Sequence, residues 1–138
     1  MQPVRQALAR TCVDERGVLG LRAGEFALTR EVFLYCAAMP VIFAHSVVRR
    51  EGLWGAWHWL GSLGTRPLGA ALFSDPLVER TPLVFRAIGP HHSLFRRATA
   101  ALAAPPGPLW ARRSIFLRQG VPLLVTEVFL PGILELPR

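Results

Sequence analysis

Two pairs of apolar runs set most of what this chain can fold into. "EFALTREVFLYC" (Glu25 to Cys36) is followed, after a few small residues, by "PVIFAHSVV" (Pro40 to Val48). "LWARRSIFLR" and "VPLLVTEVFL" repeat the arrangement around "QG" near the C-terminus. Both pairs are rich in Val, Ile, Phe and Leu, residues that fit a pleated surface. Runs of this length joined by so few residues can pair only antiparallel. The chain is therefore expected to be built on two β-hairpins.

The intervening segments fit around them. Pro3 to Ala9 reads as a short strand, and the polar, glycine-bearing stretch Val13 to Glu25 as a connection with one helical turn. Glu51 to Gly64, which carries Trp54, Trp57 and Trp59, is either a short helix or an aromatic loop. Arg66 to Phe73 reads as a turn entering a short helix, and Pro82 to Gly89 as a further strand. From His92 to Ala103 the spacing of Leu94, Phe95, Ala98 and Leu102 predicts a helix, broken by "APPGP". The sum is an α+β chain, a single antiparallel sheet of about five to six strands flanked by short helices. With 138 residues, residues 1–138 are expected to form one domain.

Two charges are out of place in this scheme. Side chains alternate between the faces of a strand. Leu28, Arg30, Val32, Leu34 and Cys36 thus share one face, and Leu123, Val125, Glu127 and Phe129 share another. An ion on an apolar face is costly unless it is paired or lines a cavity. Arg30 and Glu127 therefore mark either structural ion pairs, with the arginine snorkelling past the sheet edge, or the two ends of a pocket. A planar guanidinium matches a carboxylate ligand, and a carboxylate in an apolar pocket suits proton transfer. Arg112 and Arg113 fall on opposite faces of their strand, so one can line a pocket while the other is surface. Glu31 points away from Arg30, solvated or locally paired. His45 reads as a satisfied core histidine, and His91 and His92 as features of a loop or helix start rather than metal ligands.

Composition removes several function classes. The net charge of +7 comes entirely from arginine, scattered without a basic stripe, so nucleic-acid binding is not expected. Cys12 and Cys36 make neither a disulfide framework nor a metal spacing. No phosphate-binding loop or nucleophile-elbow motif is present. The N-terminal residues lack an apolar signal core. The uncharged run Val32 to Val48 contains Pro40, His45 and Ser46 and falls short of a spanning helix. A cytoplasmic monomer without metal or cofactor is the expectation.

The segments "LTREVFLYCAAMPVIFAHSVV", "LGTRPLGAALF" and "LWARRSIFLRQGVPLLVTEVFLP", in this order, resemble the chorismate lyase family from about Ala27 to Pro131. The resemblance implies cleavage of chorismate to 4-hydroxybenzoate and pyruvate, the first step of ubiquinone synthesis, without a cofactor. It also implies an antiparallel sheet of about six strands with the ligand buried beneath lid-like elements. By motif, Arg30 matches the arginine that grips the ring carboxylate. Leu68 matches a residue whose backbone amide helps hold that carboxylate. Glu127 matches the glutamate at the hydroxyl end, where it would serve in proton transfer. Arg112 or Arg113 is a candidate for the enolpyruvyl carboxylate. Against the family pattern, an N-terminal stretch with a helix is missing, His45 and Arg49 replace an arginine and a proline, and Val78 to Pro108 is longer. The other reading is a non-catalytic module that binds aromatic acids, related to the effector-binding domains of bacterial transcription regulators. Those domains normally follow a helix-turn-helix unit, which would not fit before Arg30.

Overall fold

The fold is that of a computed structural model describing residues 2–104 and 106–135; Pro105, part of the helix-breaking run, lies outside them. The first apolar pair forms β2 (Phe26–Cys36) and β3 (Met39–Arg49), and the second forms β6 (Leu109–Arg118) and β7 (Val121–Phe129). The β6–β7 turn is only Gln119-Gly120, both at positive φ (52° and 78°). Such a turn matches the twist of the strands it joins, and glycine enters that conformation without steric cost.

The hairpins meet through β3 and β7. With β1 (Gln2–Arg10) outside β2, the antiparallel order is β1-β2-β3-β7-β6-β4, and β5 (Val84–Ile88) also pairs with β6. The sheet has seven strands, one more than the sequence suggested. The addition is β4 (Val78–Arg80), three residues paired with Phe116 to Arg118, too short to show an alternation. The run Val32 to Val48 is the β2–β3 hairpin, and no described helix is long and apolar enough to cross a membrane.

Alternation gives the sheet two different faces. The rear face packs Phe33, Phe43, Ala111 and Val128 against Leu94, Phe95 and Ala98 of α3 (Ser93–Ala98). This helix is shorter than its apolar spacing predicts, ending where Thr99 folds its hydroxyl back onto the Phe95 carbonyl at 2.9 Å. α1 (Arg16–Leu19) adds Leu19 beside Val47 and Leu124. The front face is roofed at one end by the tryptophan-rich segment, which forms two 3₁₀ turns around a fully buried Trp57. The indole donates to the Val121 carbonyl at 2.8 Å, satisfying the polar edge of a large apolar body. α2 (Leu68–Ser74) continues the roof, burying Leu68 and Leu72 against Leu28, Val48 and Leu123.

Candidate active site

Between α2 and the front of the sheet lies a cavity of about 750 Å³. Its floor comes from four adjacent strands: Arg30 and Val32, Ala44 and Ser46, Val125 and Glu127, and Arg112 and Ser114. Register places Arg30, Ser46, Val125 and Ser114 in one row across the sheet, and Val32, Ala44, Glu127 and Arg112 in the next. Arg30 and Glu127 are thus two strands and one pleat apart, about 12 Å between Cα positions on a flat ladder. Both residues line the same space, which mostly aliphatic walls keep apolar.

Arg30 is buried, 4% exposed. Its Nη2 donates to the carbonyls of Gly64 (3.3 Å) and Arg66 (3.1 Å), in the loop that leads into α2. Burial lowers its pKa from the usual arginine value. Leu68, the first residue of α2, lines the cavity beside it, and first-turn amides have no partner within their own helix.

At the other end Arg112 grips Glu127. Its Nη2 and Nε lie 2.8 and 3.0 Å from Oε1, and its guanidinium stands over the Phe129 ring, 5.5 Å from the centroid. Both contacts use one carboxylate oxygen, and no described residue bonds Oε2. The pair therefore holds in place the carboxylate of a residue that lines the cavity. Arg113, raised above as an alternative to Arg112, is corrected by the structure. It points to the rear, where Nη2 meets Asp14 at 3.3 Å and Nε donates to Thr126; adjacent strand residues cannot share a face.

The rear face holds a second group of ions, which sequence patterning did not reveal. His45 is sandwiched between Glu31 (Nδ1 to Oε2, 2.7 Å) and Glu15 (Nε2 to Oε2, 2.9 Å), all three buried. Burial pushes the His45 pKa down, but the bonds and charges of Glu15 and Glu31 outweigh it and the net shift is upward. Both carboxyls are in turn held below their usual range, despite burial, chiefly by His45. Glu31 is thus paired but not solvated, with Arg97 a further 3.4 Å away. His92, as expected of a helix start, caps α3 by accepting from the Leu94 amide, and its other nitrogen meets Asp14.

Cys12, Glu15 and His45 also come close enough together to suggest a metal site. The donor set does not fit one. Burial, then the Glu15 charge, pushes the Cys12 thiol up to about 11, whereas a metal needs the thiolate, and both His45 nitrogens already face carboxylates.

Other cavity residues, Ser46, Ser114, Phe116, Asp75 and Arg80, carry no anomaly visible in sequence. Ser114 and Phe116 could have been placed from alternation with Arg112; Asp75 and Arg80 depend on where a loop and a three-residue strand settle.

Comparison with known proteins bears on this geometry. A family model described as chorismate lyase matches residues 2–136. The chain is 54% identical over 136 residues to a "Probable chorismate pyruvate-lyase" of Nitrosomonas europaea, covering 99% of this chain and 76% of that one. It is 55% identical, with the same coverage, to a protein of the same description from Nitrosospira multiformis. Among solved structures, the C-terminal domain of the histidine utilization repressor from Pseudomonas syringae aligns with a TM-score of 0.67 at 13% identity, covering 99% of this chain and 94% of that one. A GntR-family regulator from Enterococcus faecalis gives 0.63 at 12%, covering 93% and 86%; at such identities these two share the fold alone. The sequence matches run through both hairpins and the roof of the cavity, and with them the chain belongs to the chorismate lyase family.

Proposed function

We propose that this protein is a chorismate lyase that converts chorismate to 4-hydroxybenzoate and pyruvate at the front-face cavity. The observation that carries this reading is the placement of Arg30 and Glu127 at opposite ends of one largely apolar space. An aromatic acid with a para hydroxyl has that polarity: a carboxylate for the guanidinium, a ring for the aliphatic walls and a hydroxyl for Glu127. The relatives' description supplies the substrate.

On this reading Arg30 and the Leu68 amide orient the ring carboxylate. Oε2 of Glu127 accepts from the ring hydroxyl and lies near the carbon that bears it. The proton on that carbon leaves, its electron pair forms the last ring double bond, and the ether bond on the neighbouring carbon breaks. Enolpyruvate departs and takes up the proton as it becomes pyruvate, so the reaction is redox-neutral within the substrate. Aromatisation provides the driving force. Arg112 is assigned to fixing Glu127, to which its Nε and Nη2 are both committed. The 4-hydroxybenzoate formed would serve ubiquinone synthesis.

Glu127→Gln tests the reading, with pyruvate release coupled to a dehydrogenase and 4-hydroxybenzoate binding followed by calorimetry. The expected result is retained binding with turnover reduced roughly 10²–10⁴-fold, the range for an acid–base group. Wild-type protein that binds 4-hydroxybenzoate yet releases no pyruvate would instead identify an effector-binding module.

A further inference from the structure

Chorismate carries a second carboxylate, on the enolpyruvyl arm that the product lacks, and the proposed function leaves it unassigned. We infer that Arg80 receives it. This rests on the chorismate lyase reading and concerns a residue that neither motif nor alternation indicated.

The argument begins with the side of the ring on which the arm lies. The arm is attached next to the hydroxyl-bearing carbon, so it leaves sideways from the line joining Arg30 to Glu127. On one side of that line the floor is Val32, Leu34 and Ala44, with nothing to receive an anion. On the other it is Ser46, Ser114 and Phe116, and beyond them Arg80 on β4, directly opposite Phe116 in register. Arg112 is on this side too, but its Nε and Nη2 and its charge already serve Glu127. Arg118 is likewise committed, with Nε 2.7 Å from Asp75.

Arg80 has no carboxylate partner among the described residues. Its guanidinium lies over the Phe116 ring, 5.8 Å from the centroid. Stacking of this kind holds the planar group while leaving its edge donors available. Glu127 and Arg80 are two strands and two pleats apart, about 17 Å between Cα positions on a flat ladder. An extended arginine, the enolpyruvyl arm and a glutamate side chain fill that span. Arg80 is also exposed, which puts the second anchor at the rim of the cavity.

The test compares a dianion with a monoanion at the same site. In Arg80→Ala and Arg80→Gln, KM for chorismate should rise roughly 10–100-fold, the scale of one charge-assisted pair. Affinity for 4-hydroxybenzoate should stay within about 2-fold of wild type, an inconsequential change on that scale. Arg80→Lys should recover part of the loss, because charge is kept and the fork is not. Circular dichroism checks that each variant is folded. An unchanged KM, or equal weakening of chorismate and 4-hydroxybenzoate, overturns the assignment. If wild-type protein binds 4-hydroxybenzoate but turns nothing over, the lyase reading fails by itself. Chorismate affinity measured by calorimetry in the same variants then decides Arg80, with the same 10–100-fold loss expected.

Discussion

Replacing His45 with Gln should be among the most damaging single changes in this protein, although His45 points away from the cavity. The substitution keeps a polar side chain of similar bulk but removes the positive charge between Glu15 and Glu31. Glu31 retains Arg97 at 3.4 Å and Arg5 at 3.9 Å. Glu15, fully buried, keeps only Cys12 as a bonded partner among the described residues, through its amide at 2.9 Å and its thiol. Stripping the partner from a buried ion costs about 3–5 kcal/mol, a large share of the ~5–15 kcal/mol that separates folded from unfolded states. A chain of 138 residues has an unfolding entropy near 0.29 kcal/mol/K, so the loss corresponds to a Tm lower by about 10–17 °C. The pH dependence identifies the cause. His45, with its pKa raised on folding, contributes fully below about 6.5 and less as pH climbs through the raised folded value. Glu15 and Glu31, with theirs lowered, contribute above about 4.3 and lose that contribution as pH falls through the lowered values. Calorimetric melting across pH 3–10 should therefore show the widest gap between wild type and variant at about pH 5–6.5, closing on both sides. A Tm change below about 3 °C, or a gap that does not vary with pH, would refute the charged-histidine account.

Arg30→Ala should weaken 4-hydroxybenzoate binding by about 1.5–3 kcal/mol, with Arg30→Lys a poor rescue for want of the planar fork; unchanged calorimetric affinity would return Arg30 to a structural role. Gly132→Ala should destabilise by about 1–3 kcal/mol, read by urea denaturation. A Cβ there would stand 2.7 Å from Met39 Cγ and 2.9 Å from the Pro40 carbonyl, and the carbonyl is backbone that cannot swing aside.

What could be read from the sequence was what one segment settles by itself. The face of Arg30 follows from five alternating residues, and that of Glu127 from four, because successive Cβ atoms leave a strand on opposite sides whatever the strand pairs with. The hairpins were equally legible, since a two-residue turn at Gln119-Gly120 obliges β6 and β7 to pair with each other. Partnership across the sheet was not. That β3 joins β7, setting Arg30 and Glu127 two strands apart in one cavity, depends on pairing between segments some eighty residues distant. That Arg112 spends its charge on Glu127 while Arg113 reaches Asp14 depends on the same register. Glu31 and His45 looked unremarkable in their own strands. Glu15, in a polar connection, gave no sign of burial until α1 was packed against the rear face. Ion pairs of this kind form because charges brought out of water must be compensated by whatever the fold sets beside them, and only the closed sheet decides what that is.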